Sequence, residues 1–169
     1  MTENFIQGFK ANVGKLARPY LYYVNIVEPT PPVSQKYLVK TTSMPETVIE
    51  PIEIPYQGLN LKVASTATYG EWTCTFNVDN DMALRQFFIE WSKNVFDAET
   101  HKHGVADDYF GQIDIEMLDA YKTIGTPIYT TQLYGCWPSS VGAIELDYGN
   151  KEVATFDVGF NYQYHKETK

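Results

Sequence analysis

The stretch WTCTFNVDND, residues 72–81, decides the fold. Side chains alternate across a β-strand, so every second residue of this stretch lies on the same face. One face is apolar and requires a core, and it carries Trp72, Cys74, Phe76 and Val78. The other face is small, polar and neutral to acidic, and it carries Thr73, Thr75, Asn77 and Asp79. The pattern therefore predicts a strand whose second face meets water or a partner.

A helix is predicted directly after this strand, within residues 79–96. Asn80 or Asp81 is expected to cap it, because acidic and amide side chains suit the first turn of a helix. Large apolar residues recur there at helical spacing and form one stripe that must be buried, namely Leu84, Phe87, Phe88, Trp91 and Val95. Ile89 lies off this stripe, beside polar residues, and hints at contact with a partner.

Alternating apolar residues predict further strands along the chain, over residues 19–27, 36–44, 112–118, 127–137, 143–148 and 154–165. The first two are expected to pair as a hairpin across a proline-containing loop at 28–34. A short helix capped by Thr2 is expected at 2–9. With only one long helix, the pattern predicts a single mainly β (α+β) domain over residues 1–169. Its expected form is a β-sandwich or partial barrel with that helix packed on it.

Residues 45–70 differ from the predicted core strands. Pro45, Pro51 and Pro55 exclude a central strand but permit an extended edge. Apolar residues then alternate with polar ones, at Leu59, Leu61 and Val63. This pattern predicts a projecting arm or long hairpin, and a loop that lies flat on its own domain is the alternative.

The composition describes a folded, acidic chain. It has 169 residues, of which 44% are hydrophobic, enough for one sizeable core. The formal net charge of -8 argues against a phosphate-binding surface, which needs clustered Lys and Arg. Cys74 and Cys136 are expected to be reduced thiols rather than a disulfide. The N-terminus does not resemble a signal peptide and no apolar run is long enough for a membrane helix, so the chain is expected to stay soluble in the cytoplasm unless a dedicated machine moves it.

No group of residues forms a convincing catalytic or metal site. His101 and His103 stand in a polar loop, and the serines of WPSSVG lack the GxSxG pattern of a nucleophile elbow. Asp114 and Glu116 share a strand face, which more often forms a hydrated wall than an acid–base pair. No cofactor or metal is expected, and nothing in the sequence supports an enzyme.

Three blocks of sequence together resemble a known family. They are LARPYLYYVNI at 16–26, YGEWTCTF…MALRQFFIEW at 69–91 and GCWPSSVGAIELDYGNKEVATFDVGFNYQY at 135–164. In order and spacing they resemble the tail tube proteins of T4-type contractile-tailed bacteriophages, a family related to the inner tubes of type VI secretion systems and pyocins. The positions that carry the resemblance, also expected as core positions, are Arg18, Pro19, Trp72, Arg85, Phe88, Trp91, Trp137, Pro138, Leu146, Asp147 and Phe156.

The resemblance implies a structural protein whose hexameric rings stack into a hollow tube inside a contractile sheath. Inner strands of all subunits would join one shared β-barrel, and viral DNA would pass through its lumen into the host. The implied partners are further copies of the chain, the tail sheath protein, baseplate or tube-initiator proteins, and, transiently, the tape measure protein and DNA. The protein would be a virion component assembled in the host cytoplasm, without membrane insertion.

An acidic wall suits such a channel, because tight phosphate contacts would slow the transit of DNA. On that basis the lumen is predicted to be lined by Thr73, Thr75, Asn77, Asp157, Asn161 and Gln163. Contacts between subunits or rings are predicted at Leu59, Leu61, Val63 and Ile89. The alternative for the polar face is the tube exterior, against the sheath. Alternative functions are the inner tube of a pyocin-like particle or type VI secretion system, and a ligand-binding β-barrel or carbohydrate-binding module.

Overall fold

The computed structural model describes residues 5–13, 16–121 and 125–169. Its helices are α1 (Phe5–Val13), α2 (Ala83–Val95) and α3 (Ala106–Tyr109), with one 3-10 turn at Gln35–Tyr37. Its strands are β1 (Tyr22–Glu28), β2 (Val39–Thr42), β3 (Val48–Tyr56), β4 (Leu59–Thr68), β5 (Trp72–Asn77), β6 (Phe96–Asp97), β7 (Lys102–His103), β8 (Gly111–Leu118), β9 (Pro127–Val141), β10 (Thr155–Asn161) and β11 (Tyr164–Thr168). The chain is therefore mainly β with one long helix, as predicted.

Strand β9 connects two halves of the main sheet. The sheet order is β1-β8-β9-β10-β5-β2, with β11 also paired to β9. Residues of β9 as far as Cys136 pair with β8, whereas Trp137 to Val141 pair with β10. Gly135 lies just before this change with φ 64°, a backbone conformation that glycine adopts without a steric penalty. Because one strand serves both halves, the sheet folds over and encloses a core, the arrangement of a sandwich or partial barrel.

Helix α2 closes that core with aromatic side chains. The Phe88 ring is fully buried, 5.1 Å from the Phe76 ring and 5.7 Å from the Phe160 ring. The first half of the sheet supplies aliphatic side chains to the same cluster, namely Val24, Ile26, Ile113, Ile115 and Leu133. Arg85 of the helix donates a hydrogen bond to the carbonyl oxygen of Gly142. Burial of these rings joins the helix and the two sheet halves into one packed unit.

The strand and the helix that were predicted within residues 72–96 are both present, but a different residue caps the helix. Strand β5 buries Trp72, Cys74 and Phe76. The Asp79 carboxylate accepts hydrogen bonds from the backbone N–H groups of Ala83 and Leu84, at 2.8 and 3.4 Å. The prediction of Asn80 or Asp81 as the cap was therefore wrong, because the backbone turns at residue 82 (φ 52°) before the helix begins.

Three other sequence-based boundaries or pairings were wrong. Strand β2 pairs with β5 instead of β1, which pairs with β8. Residues 143–148 form no strand, because the N–H of Gly142 bonds to the Asp157 carbonyl oxygen and the chain then leaves the sheet. The single strand predicted at 154–165 is divided between β10 and β11, which pairs with β9. The predicted Thr2 cap lies outside the described residues.

Candidate assembly surfaces

Four of the six predicted lumen residues lie together on the outer face of β5 and β10. Thr75 is opposite Asp157 in the strand register, and its hydroxyl donates a 2.6 Å hydrogen bond to the Asp157 carboxylate. Thr73 and Asn77 flank Thr75 on the same face of β5, opposite the buried side chains of that strand. Neither β5 nor β10 contains Lys or Arg. This face is therefore polar, with small side chains, and its one charged group is the Asp157 carboxylate.

The other two predicted lumen residues lie at the end of β10. By strand alternation Asn161 continues the row of Asp157, and it pairs with Trp137 of β9. Gln163 follows the strand, and its N–H donates to the carbonyl oxygen of Tyr134. The Gln163 side chain covers Gly135, where an added Cβ would lie 2.6 Å from the Gln163 Cγ. The fold thus groups Thr73, Thr75, Asn77 and Asp157, continues their row to Asn161, and separates Gln163 from them.

Strands β3 and β4 form a separate antiparallel hairpin within residues 45–70. Its two-residue turn has positive φ at both Gln57 (46°) and Gly58 (82°), the pattern of a type I′ turn. Register pairs place six apolar side chains on one face, as Ile52–Val63, Ile54–Leu61 and Tyr56–Leu59. We call this row the apolar stripe. Each of its members is between 43% and 77% exposed.

The opposite face of the hairpin is polar. Lys62 lies 3.5 Å from the Glu53 carboxylate, which also accepts a hydrogen bond from Asn60 at 3.2 Å. Pro51 and Pro55 remove backbone donors from β3. Six large apolar side chains exposed along one face mark a contact site. Sequence reasoning found Leu59, Leu61 and Val63 but missed Ile52, Ile54 and Tyr56, although these three alternate along β3 and only the prolines obscure them.

A histidine holds the root of the hairpin. The His165 side chain on β11 is only 5% exposed, and its Nε2 lies 3.1 Å from the hydroxyl of Thr47, the residue before β3. Tyr69, the residue after β4, packs edge-on against the same ring at 5.2 Å. Both chain ends of the hairpin therefore contact one buried side chain of the main sheet.

Residue Ile89 lies where the helical pattern predicts, on the outside of α2. It is 38% exposed and borders a cavity of about 530 Å³ between α2 and the end of β9. Apolar side chains also line this cavity, among them Phe96, Trp137 and Val141. The groove is a second surface that a partner could contact, and its lining also includes charged side chains such as Lys93, Asp97 and Glu99.

The positions that carry the family resemblance divide into core and surface. The buried ones are Trp72, Phe88, Trp91, Pro138 and Phe156, and Arg85 and Trp137 are half-buried. Arg18, Pro19, Leu146 and Asp147 are exposed. As core positions these four were predicted wrongly, because residues 16–21 precede the first strand and residues 142–154 have left the sheet. Leu146 is the extreme case, at 87% exposed.

Both cysteines are free, fully buried thiols, in agreement with the sequence-based expectation of reduced cysteines. Burial raises the pKa of Cys74 and the pKa of Cys136 from an ordinary 9.0 to about 12. At pH 8 roughly one buried thiol in ten thousand is then ionised. Neither side chain has the character of a nucleophile.

We expect both thiols to stay unlabelled by a thiol-specific reagent at pH 8 and to react together on unfolding in guanidinium chloride. Below pH 9 both thiols are protonated in the folded and in the unfolded chain, whereas between pH 9 and about 12 only the unfolded chain ionises them, so the free energy of unfolding falls as the pH rises from 9 towards 12. Mass spectrometry after labelling measures how many thiols have reacted, and thermal unfolding at a series of pH values measures the change in stability. Rapid labelling of the folded protein would contradict the burial.

Within residues 5–13, 16–121 and 125–169, no helix combines the length and hydropathy that crossing a membrane requires. In the same ranges, no three His, Cys, Asp or Glu side chains come close enough to hold a metal ion.

A mainly β domain with a large exposed apolar hairpin has the features of an assembly subunit. The sequence pattern of the phage tail tube protein family matches residues 22–168, and the chain therefore belongs to that family. Its members are structural components of tails, so the chain is a structural virion protein and not an enzyme. The resemblance found in the sequence is thereby confirmed.

Individual relatives agree with this assignment. The chain is 28% identical to tail tube protein gp19 of Enterobacteria phage T4, over 89% of this chain and 91% of the relative. It is 27% identical to the tail tube protein of Serratia phage KSP90, over 86% and 85% of the two chains. A chain in the extended sheath–tube complex of an extracellular contractile injection system (PVC) superposes with a TM-score of 0.70, at 12% identity and covering 95% and 96% of the two chains. At that identity the likeness shows the fold alone.

Proposed function

We propose that the chain forms hexameric rings that stack into the hollow tube of a contractile phage tail, and that this tube conducts viral DNA into the host. The apolar stripe carries the proposal, because six exposed apolar side chains on one hairpin face need a protein partner in the working state. Because the chain belongs to the phage tail tube protein family, the assembly that we propose is a tube. Residues 1–169 then act as a single tube domain, with the hairpin as its projecting arm.

Open sheet edges support the same assembly. In the described part of the chain, β1 pairs only with β8, β2 only with β5, and β11 only with β9. Unpaired strand edges invite further strands, and neighbouring copies are the natural source in a ring. Inner strands of six subunits would thus close one shared β-barrel around the lumen.

The proposed partners follow from the tube. Besides further copies of itself, the subunit would contact the tail sheath protein, with Ile89 and its groove as one candidate surface, and baseplate or tube-initiator proteins. The tape measure protein and then DNA would occupy the lumen. Solved structures with the same fold come from complexes described as sheath–tube, baseplate and tube-terminating cap, which supports these partners. Assembly would take place in the host cytoplasm, without membrane insertion.

Electron microscopy tests the assembly directly. Purified protein is incubated at high concentration with tail baseplates as nuclei and examined by negative stain. We expect hollow filaments or six-fold rings. Monomeric particles alone, even with baseplates present, would contradict a tube subunit and favour a monomeric binding barrel.

We propose that the face of β5 and β10 that points away from the core of the subunit lines the lumen of the tube. This face includes Thr73, Thr75, Asn77, Asp157 and Asn161, with Gln163 beyond the strand end. Its lack of Lys and Arg suits a wall that conducts a polyanion without binding it.

The double substitution Asp157→Lys and Asn161→Lys is expected to leave tube assembly intact but to reduce DNA delivery per particle about tenfold or more, because lysines in the bore would hold phosphates. Infectivity divided by the number of intact tails measures the effect. The double substitution Asp107→Lys and Asp108→Asn changes the net charge equally, on the exposed helix α3 and away from the Ile89 groove, and is the matched control. Equal infectivity of the two variants would exclude this face as the lumen wall.

A further inference from the structure

Helix α1 exposes a row of apolar side chains to water. Ile6, Phe9 and Val13 follow one another at helical spacing and therefore lie along one side of the helix. Their exposed fractions are 61%, 63% and 37%. A helix of nine residues is only marginally stable by itself in water and depends on burial of its apolar side. We call this row the α1 stripe, and it needs a partner surface.

The segment that contains α1 is basic. Residues 5–21 include Lys10, Lys15 and Arg18 but no Asp or Glu. Lys10 is exposed and follows Ile6 by four residues, so it flanks the α1 stripe on the same side of the helix. A partner surface that is both apolar and acidic would match the two properties of this helix.

Residues 142–154 connect β9 to β10, and we call them the β9–β10 loop. They enter β10 at Thr155, which pairs with Asn77 at the end of the β5–β10 strand pair opposite to the hairpin. Two large apolar side chains of the loop meet water, since Leu146 is 87% exposed and Tyr148 is fully exposed. The loop therefore presents an apolar surface outside the core.

The β9–β10 loop is also acidic, and it encloses a cavity of about 400 Å³. Apolar side chains and three carboxylates line this cavity together, namely Leu146, Tyr148, Glu145, Asp147 and Glu152. Lys151 is the one basic residue in the sequence of the loop. Neither the apolar stripe of the hairpin, which is uncharged, nor the Ile89 groove, whose lining includes Lys93, offers the same match to a basic apolar helix.

Local hydrogen bonds give the β9–β10 loop a defined shape. The Asp147 carboxylate accepts a hydrogen bond from the N–H of Gly149 at 2.8 Å. The Asn150 side chain accepts one from the N–H of Glu152 at 2.9 Å. Because these turns order the loop in the single subunit, little conformational freedom is lost when a partner packs on it.

Helix α1 and the β9–β10 loop lie at opposite ends of β9. The Tyr121 hydroxyl, in the connection between β8 and β9, donates a 3.4 Å hydrogen bond to the carbonyl oxygen of Leu16, just after α1. This connection leads into Pro127, the first residue of β9, whereas the loop follows Val141, the last residue. The part of β9 between Pro127 and Gly135 alone spans roughly 30 Å. Two surfaces placed in this way face different copies in an assembly.

We propose that α1 of one subunit packs against the β9–β10 loop of a second copy, with the α1 stripe on Leu146 and Tyr148 and with Lys10 beside the loop carboxylates. This inference rests on the proposed function, because the second copy is a neighbour in the tube. The contact is heterologous, since it joins two different surfaces, and each subunit can use both surfaces at once. It also gives a role in assembly to Leu146, a position of the family resemblance that lies outside the core.

Cross-linking between two single variants tests the pairing. Subunits with Phe9→Cys are mixed with subunits with Leu146→Cys, polymerised on tail baseplates and treated with a short bismaleimide. The native thiols, Cys74 and Cys136, are buried and un-ionised, so they leave little background. We expect covalent dimers at roughly ten times the yield of a control mixture or more, because docking raises the local concentration of the two thiols. In the control mixture Val105→Cys, at a 64% exposed position elsewhere on the domain, replaces Leu146→Cys.

A second pair keeps the apolar contact intact. Gln7→Cys with Lys151→Cys leaves every apolar side chain and every carboxylate of the two surfaces in place and is expected to cross-link in the same way. Each variant polymerised alone should give dimers only at the control yield, since the contact joins two different surfaces. Tubes that form without cross-links from either pair would overturn the proposed contact and leave the tube function standing. Failure of the unmodified chain to form tubes or rings on baseplates would overturn the tube function and this contact with it.

Discussion

Replacing Leu61 with serine is expected to abolish tube formation while the subunit stays folded. Leu61 lies in the middle of the apolar stripe, opposite Ile54, and is 61% exposed in the single subunit. Its loss therefore costs little in the folding of that subunit. In the tube the same side chain would be buried at every repeat, and truncation of a central apolar contact typically weakens binding by about 2 kcal/mol or more, roughly 30-fold per contact. Filament mass after sedimentation, together with electron microscopy, measures the loss.

The neighbouring substitution Asn60→Ser is the matched control for Leu61→Ser. Asn60 precedes Leu61 on β4 but lies on the opposite, polar face, where it donates to Glu53. We expect this variant to form tubes at the wild-type protein concentration. Circular dichroism and thermal unfolding are used to check that both variants are folded. Normal polymerisation of Leu61→Ser would show that the stripe is not an assembly surface.

Replacing Phe88 with alanine is expected to lower the free energy of unfolding by about 3–5 kcal/mol. The ring is fully buried and lies within 6.2 Å, centroid to centroid, of the rings of Phe76, Phe156 and Phe160. Its removal opens a cavity where α2 joins the sheet, and the rigid strands around it cannot close that cavity. Since domains of this size are stable by only about 5–15 kcal/mol, much of the total would be lost. Urea denaturation of the unassembled subunit measures the change.

Phe9→Ala is the corresponding substitution at an exposed phenylalanine. The Phe9 ring on α1 is 63% exposed, so the same change of side chain leaves no internal cavity. We expect the free energy of unfolding to change by less than about 1 kcal/mol. Similar losses for Phe88→Ala and Phe9→Ala would indicate that α2 does not hold the core together.

Local patterns in the sequence were sufficient for the elements that contact the core. Trp72, Cys74 and Phe76 alternate with polar residues, and alternation alone identifies the buried face of β5. Helical spacing likewise identified Leu84, Phe88 and Trp91 as the buried positions of α2 and left Ile89 outside. The mainly β class followed because one helix covers only part of a sheet.

The pairing of strands could not be predicted from the local pattern of apolar and polar residues. Strand β2 was expected to pair with β1 because the two are neighbours in sequence. In the fold, β2 pairs with β5 and β3 pairs with β4, so the four strands form one long two-stranded ribbon. Thr42 pairs with Cys74 before the gap between β2 and β3, and Val48 pairs with Thr68 after it, in the same register. The ribbon determines that β2 pairs with β5. Formation of the ribbon in turn depends on contacts between residues far apart in the chain.

The sequence by itself determined the family, the mainly β class, the buried faces of β5 and α2, and the three leucine and valine positions of the apolar stripe. Only the tertiary structure decided that Ile52, Ile54 and Tyr56 complete the stripe, since facing positions on two strands depend on register. It also decided that Leu146 is exposed, at the end of the strand pair opposite to the hairpin. Periodicity is a property of neighbouring residues, whereas register and the placement of loops result from distant contacts that form together when the sheet folds over its core.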